Sequence, residues 1–136
     1  MDYSFQHGFI AFLMSFATAI AFLLVFKIAY AMATPQKEWE LIKNQKNTAA
    51  AIGFAGAIIG FALALASAAN GSSGLLDFAK WGAVALVAQL LTFWIVRLFL
   101  IRDIQKRLEE NEISAGVILG ATSIAVGLLN AACMSY

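Results

Sequence analysis

Charged residues divide this chain into four long apolar runs, at about 8–33, 48–69, 78–101 and 113–135. Each run has about the 20 mostly apolar residues that an α-helix needs to cross the hydrocarbon core of a bilayer. In that core each backbone amide must find its hydrogen bond within its own segment, so each run is expected to be helical. The pattern therefore predicts an all-α integral membrane protein with four transmembrane helices in a single membrane domain. The first run is expected to be a retained helix, because no Lys or Arg precedes it as in a signal peptide.

Composition narrows the possible functions. Of the 136 residues, 62% are hydrophobic and 12% charged, about half the charged fraction of a soluble domain. Such a composition excludes a soluble enzyme, a nucleic-acid-binding protein and a secreted disulfide scaffold. The single cysteine, Cys133, is expected to act as a small buried hydrophobic residue. The sequence has no recognisable catalytic set and no metal-ligand spacing, so we expect no enzyme activity, no metal and no cofactor.

Basic residues predict the orientation in the membrane. Eight of the nine flank or occupy the first and third connections, and only Lys80 lies near the second. The positive-inside rule assigns these two connections to the cytoplasm and both termini to the opposite side of the membrane. Lys27 and Arg97 fall within the predicted spans, near their cytoplasmic ends. Their side chains either extend to the headgroups or line a permeation path.

The two basic connections are predicted to be helical. Pro35 follows a potential N-cap, Thr34, and Asp103 and Arg107 have the spacing of a helical ion pair. These connections form either a solvated face or a docking face for a partner or anionic lipid. The candidate docking residues are Trp39, Lys43, Lys46, Arg102, Lys106 and Arg107.

The four runs are predicted to form a tandem parallel repeat of a two-helix hairpin. Repeat 1 covers about 8–69, a turn 70–77, and repeat 2 about 78–136; residues 47–52 align with 112–117 at an offset of 65. Spans two and four carry small residues at helical spacing, which favours close helix packing. The residues concerned are Gly56, Gly60, Ala64, Gly116, Gly120 and Gly127. We expect these two spans to form an inner pair, with the bulkier spans one and three outside.

A few polar side chains lie within or beside the spans. Gln89 and Asn130 carry amides that need several hydrogen-bond partners in a dry environment. They either join helices together or line a water-filled or ion-lined path, and Asn47, Lys27 and Arg97 are further candidates for such a path. Four helices with so few polar groups hardly enclose a pore alone, so a permeation role requires a homo-oligomer.

Several segments resemble the YjfL family of small bacterial inner-membrane proteins, classed as domain of unknown function 350. They are 34–44, 47–50, 81–82, 85–91, 96–97 and, most specifically, Asn130-Ala131-Ala132-Cys133-Met134. The resemblance covers about 9–136 and implies four spans, usually two domain copies per chain, and an association with cytosolic membrane-stress proteins of the phage-shock type. It supplies no activity. One departure is residues 112–115, which read Glu-Ile-Ser-Ala where the family usually has Asn-Thr-Ala-Ala.

Two functional hypotheses follow. The first is a homo-oligomeric assembly with a permeation role for ions or small solutes. The second is a membrane anchor or adaptor that recruits a cytosolic membrane-stress protein through its basic connections. The partners expected are the lipid bilayer, further copies of the chain and that cytosolic protein, and no nucleic acid.

Overall fold

The computed structural model describes residues 2–33 and 38–134, and this part of the chain contains helices and their connections only. The elements are α1 (Asp2–Ala33), α2 (Glu38–Lys43), α3 (Thr48–Gly71), α4 (Leu75–Ile95), a π-helical segment (Val96–Leu100), α5 (Ile104–Glu109) and α6 (Ile113–Cys133). Four helical stretches, at 4–32, 48–71, 75–100 and 113–133, are long and apolar enough to cross a membrane. The all-α prediction with four helices of membrane-spanning length is confirmed.

The helix boundaries differ from those expected by a few residues. α1 begins at Asp2 rather than near residue 8, since nothing in the first residues breaks the helix. The predicted turn at 70–77 shrinks to residues 72–74, because α3 continues to Gly71 and α4 begins at Leu75. The Asp77 carboxylate accepts a hydrogen bond from the Ser73 backbone N–H at 3.2 Å, which stabilises this short turn. α6 ends at Cys133, and the rest of its predicted span, beyond residue 134, lies outside the described residues.

α3 and α6 form the tightest pair in the bundle, and they touch through their backbones. A Cβ added to Gly56 would overlap the backbone of Gly120. Close approach of this kind is what holds apolar helices together in lipid, where hydrophobic exclusion between them is absent. The residue numbers of both helices rise together along the contact, so the two run parallel. The facing pairs are Ala49–Gly116, Gly56–Gly120 and Gly60–Gly127.

α4 packs against both members of this pair, whereas α1 lies at the edge. The expectation of a bulky outer pair therefore describes α1 better than α4, whose Phe78, Gln89 and Phe93 are buried. In an apolar window of 18 residues, 6% of the residues of α1 are buried, against 50% of those of α3. α1 attaches through an aromatic cluster in its second half, where the Phe26 ring stacks on Phe61 with centroids 4.8 Å apart. The cluster consists of Phe22, Phe26, Tyr30, Phe54, Phe61 and Phe78.

The short helices α2 and α5 lie at the same end of the bundle, beside the N-termini of α3 and α6. α5 buries Ile104 and Leu108 completely, and α2 buries Leu41.

The backbone that leads into α3 matches the backbone that leads into α6. Lys46 and Asn111 both have positive φ, at 53° and 59°. Asn47, the next residue before α3, has φ −77° and ψ 106°. Glu112, the next residue before α6, has φ −78° and ψ 104°.

Candidate functional site

Asn47 links the two connections to each other. As the N-cap of α3, its side-chain oxygen accepts a hydrogen bond from the Ala50 N–H at 2.8 Å. Its amide nitrogen donates to the backbone carbonyl of Leu108, at the end of α5, at 2.6 Å. The side chain is only 3% exposed, so both bonds lie in a dry setting. One side chain thus starts a membrane helix and fixes a connection 61 residues further along the chain.

Asn111 makes the reciprocal contact, a role that the sequence pattern did not predict. Its side-chain oxygen accepts a hydrogen bond from the Ala49 N–H at 2.9 Å. The sequence feature that could have indicated this position is the residue type, since asparagine commonly occupies the left-handed position after a helix. We define the two asparagines, Ala49, Ala50 and Leu108 as the asparagine junction.

Glu112 occupies the position that matches Asn47 at the offset of 65, and it behaves differently. It precedes α6 with the same backbone conformation but makes no side-chain capping bond. Its carboxylate instead accepts a hydrogen bond from the Arg107 guanidinium at 3.1 Å. Where Asn47 caps α3 with its side chain, Glu112 therefore forms an ion pair instead.

The charged side chains around the asparagine junction are of both signs. Arg107 also pairs with Asp103 at 2.9 Å. This hydrogen bond lowers the pKa of the Asp103 carboxyl, and the two carboxylates raise the pKa of Arg107. Of the other candidate docking residues, Lys43, Lys46, Arg102 and Lys106 are exposed. The side chain of Trp39 lies outside the part of the chain that the structure describes.

A second group of polar residues lies inside the bundle, between α3, α4 and α6. The Gln89 amide nitrogen donates to the Ser123 carbonyl at 2.8 Å, and the residue is 1% exposed. Gly60 makes room for it, because a Cβ there would lie 2.6 Å from that nitrogen. Within the described residues, the Gln89 side-chain oxygen and the Thr92 hydroxyl are buried without a hydrogen-bond partner. We call Gln89, Thr92, Ser123 and Gly60 the buried polar cluster.

Asn130 forms a further link between α4 and α6. Its amide nitrogen donates to the Ala85 carbonyl at 3.3 Å, and its side chain is half-buried. Ser67 adds a link from α3, since its hydroxyl donates to the Ala131 carbonyl at 2.9 Å. Cys133, expected to be buried, is exposed, although Met134 beside it is buried in the core.

Lys27 and Arg97 lie on α1 and in the π-helical segment, respectively. Lys27 is on an exposed face of α1. Arg97 lies in the π-helical segment, with its guanidinium carbon 5.3 Å from the centre of the Trp94 ring, a cation–π distance.

The five residues predicted to line one path therefore occupy three separate places. Asn47 is in the asparagine junction, and Gln89 and Asn130 connect α4 to α6. Lys27 is exposed on α1, and Arg97 is half-buried in the π-helical segment. In the described residues, no group of three or more His, Cys, Asp or Glu side chains is placed to hold a metal ion.

Comparison with known proteins adds an assignment for nearly the whole chain. The family model of the domain of unknown function DUF350 matches residues 4–134. The chain is 39% identical over 127 residues to the UPF0719 inner membrane protein YjfL of Escherichia coli K12. The aligned region covers 93% of this chain and 95% of that protein. The protein of the same name from Escherichia coli O157:H7 matches to the same extent. No solved structure gives a significant match.

Proposed function

Because the chain belongs to the DUF350 family and resembles an inner-membrane protein over nearly its full length, we propose that it is an inner-membrane adaptor. Its bundle holds two charged helical connections together as one cytoplasmic docking face for a cytosolic protein. The observation that carries the proposal is the asparagine junction, in which Asn47 bonds to Leu108 and Asn111 bonds to Ala49. These bonds fix the relative position of α2 and α5, so the face is ordered before any partner arrives, which lowers the entropic cost of binding.

The charges on this face favour a protein partner over a purely anionic lipid surface. Eight of the nine basic residues of the chain lie in or beside the two connections, but so do six of its eight acidic residues. Carboxylates and anionic headgroups repel each other, so a surface that binds only anionic lipid is not expected to carry this many carboxylates. Interspersed charges instead suit a partner with a complementary pattern, where they give specificity and orientation. The cytosolic membrane-stress protein implied by the family resemblance is the partner class that we propose.

Charge reversal tests this adaptor role. We expect the variant Lys43→Glu/Lys46→Glu/Arg102→Glu/Lys106→Glu to insert normally and to lose a partner that co-purifies with the wild-type protein, as measured by quantitative mass spectrometry. Lys80→Glu is the matched control, because this exposed cation lies near the second connection, at the other end of the bundle. The control should keep the partner.

Three results would count against the adaptor. The first is a partner retained at wild-type levels by the fourfold variant. The second is the absence of any protein enriched with the wild type. The third is a loss of bound phosphatidylglycerol without any loss of protein, which would identify the face as a lipid-binding surface.

We also propose that the chain is a tandem repeat with its two connections in the cytoplasm and both termini in the periplasm. The matched backbone before α3 and α6 at an offset of 65 supports the repeat. The asparagine junction supports a common side for both connections, and the basic residues suggest that this side is the cytoplasm.

A reporter fused to the C-terminus tests the orientation. Alkaline phosphatase should be active there and green fluorescent protein dark, whereas bright fluorescence would contradict the proposal.

A homo-oligomer with a permeation path is the second candidate. Two observations favour it: the unpartnered buried oxygens of Gln89 and Thr92, and the largely exposed α1. A buried polar atom without a partner costs about 1–3 kcal/mol, and water or an ion in a path would supply the missing bond. Asn47 and Gln89 are enclosed by their own chain, so a path between copies would be lined by Asn130, Lys27 and Arg97.

Flux through proteoliposomes distinguishes the possible paths. If the path runs between copies, Asn130→Leu should change the conductance and Gln89→Leu should leave it unchanged. If the path runs through the bundle, Gln89→Leu should change it most. The absence of flux under potassium, sodium and proton gradients would remove this candidate and leave the adaptor. Neither candidate involves catalysis, in line with the lack of a catalytic set in the sequence.

A further inference from the structure

An apolar groove separates the first half of α1 from α3. The aromatic cluster joins the two helices in the second half of α1, where Phe26 stacks on Phe61 of α3. Phe22 also approaches Phe78 of α4, with ring centroids 6.0 Å apart. Towards the N-terminus of α1, the α3 surface opposite is built from small side chains, and a gap of about 360 Å³ remains. Its walls include Phe12, Phe16, Ala62, Ala66 and Ala69, with the buried ring of Phe78 beside them. The width of this groove is set by the rings that hold the helices apart.

The groove leads into a more polar pocket at the turn between α3 and α4. This pocket has a volume of about 300 Å³ and shares Ser15, Ala69 and Phe78 with the groove. It also contains Ser72 and Ser73. The Ser72 hydroxyl donates to the Ala68 carbonyl, so the hydroxyls that can donate to a ligand at this end are those of Ser15 and Ser73. The turn lies where α3 ends and α4 begins, which is the level of the headgroups for two helices that cross the bilayer. An apolar cavity therefore ends in hydrogen-bonding groups at the boundary between lipid and water.

We propose that this groove is a binding site for one phospholipid molecule. One acyl chain lies between α1 and α3, and the polar head accepts hydrogen bonds from the hydroxyls of Ser15 on α1 and Ser73 at the α3–α4 turn. A water-soluble ligand does not match this site, since the groove has almost no polar surface and opens towards lipid. A second copy of the chain would match the apolar part but would bring no headgroup to the serines. A preformed concave site with a few polar groups at one end binds a ligand more tightly than the adaptable lipid layer around the protein.

Filling the groove tests the proposal. The full-length protein is reconstituted with phosphatidylethanolamine and phosphatidylglycerol, extracted in mild detergent and weighed by native mass spectrometry. We expect one phospholipid per chain in the wild type and at least about a tenfold weaker retention in Ala66→Trp, equivalent to about 1.4 kcal/mol of binding free energy. Ala55→Trp is the matched control, because Ala55 is also an exposed alanine on α3 but does not line the groove.

Two more variants separate the acyl site from the head site and guard against misfolding. Ala62→Leu fills the groove with a smaller side chain and should also weaken retention, with circular dichroism reporting whether each variant keeps its helices. Ser15→Ala should lower retention by roughly threefold, the effect of one lost hydrogen bond.

Equal retention by the Ala66 and Ala55 variants, or no lipid retained by the wild type, would overturn the site. A wild-type dimer that only Ala66→Trp and Ala62→Leu dissociate would show that a second copy fills the groove instead. Neither result depends on whether the connections bind a cytosolic partner.

Discussion

Gly56 allows α3 and α6 to meet through their backbones, and it therefore controls the distance between the two central helices. Any side chain at this position would overlap the backbone of Gly120, which cannot rotate away. We expect Gly56→Ala to destabilise the bundle by roughly 1–3 kcal/mol, the usual cost of overpacking a filled site. Unfolding in mixed micelles, followed by circular dichroism, measures this change.

The same substitution at Gly8 provides the control. This glycine is also helical, but a Cβ there would meet nothing within 4 Å. Gly8→Ala should be neutral or stabilising by up to about 1 kcal/mol, because alanine favours the helix more than glycine does. Equal losses of stability in the two variants would show that backbone contact between α3 and α6 is unimportant.

Asp103 should titrate below its ordinary value of 3.8 because it accepts a hydrogen bond from Arg107. A carboxyl whose pKa is lowered by folding contributes stability above its unfolded pKa, and that contribution is lost as the pH falls through the folded pKa. The contribution is small, since both side chains are substantially exposed. Carboxyl chemical shifts in an NMR titration measure the pKa of Asp103. Arg107→Gln should raise it towards the ordinary value, and an unchanged titration would contradict the ion pair.

The asparagine junction makes the two connections one structural element. We expect Asn47→Ala to cost about 0.5–2 kcal/mol as a lost N-cap, and to leave the Leu108 carbonyl without the bond that Asn47 donates to it. Hydrogen exchange should then become faster across residues 104–112. Asn44→Ala is the control, because Asn44 is on the same connection but is exposed. If the two variants exchange alike, Asn47 caps α3 without holding α5.

The sequence predicts the long helices well because a bilayer imposes a simple rule on them. A mostly apolar run of sufficient length must be helical in a bilayer, whatever its neighbours, so all four stretches were identifiable. The short helices α2 and α5 were also predicted, α5 from its ion-pair spacing. The helix start predicted at Thr34 and Pro35 lies outside the described residues. The π-helical segment at Val96–Leu100 was not predicted, because its composition does not differ from that of an ordinary apolar helix.

The positions of individual side chains depend on packing that one sequence does not reveal. Glycines at helical spacing indicate that α3 and α6 approach closely, but not which glycine meets which. Gln89 and Asn47 were both plausible path residues by type, yet each is enclosed by its own chain. Asn111 was overlooked because its role depends on Ala49, a residue 62 positions away.

The molecule as a whole divides into a packed unit of α3, α4 and α6 and a loosely attached α1. The attachment is concentrated in the aromatic cluster, since Phe26 and Tyr30 are the buried residues among the described side chains of α1 and its first half is exposed. A segment with few buried contacts separates at a lower free energy than the rest of the structure. We therefore expect α1 to detach in a step of its own before the other three helices come apart.

Magnetic-tweezer unfolding of the full chain in bicelles, pulled from both termini, measures this order directly. The wild type should show a first extension that matches the release of α1, at a lower force than the release of α3, α4 and α6. Phe26→Ala removes the ring that stacks on Phe61, so it should lower the force of the first step and leave the second unchanged. Phe9→Ala, on the exposed face of α1, should change neither. A single step that releases all four helices together would mean that the aromatic cluster binds α1 as firmly as glycine contacts bind α3 to α6.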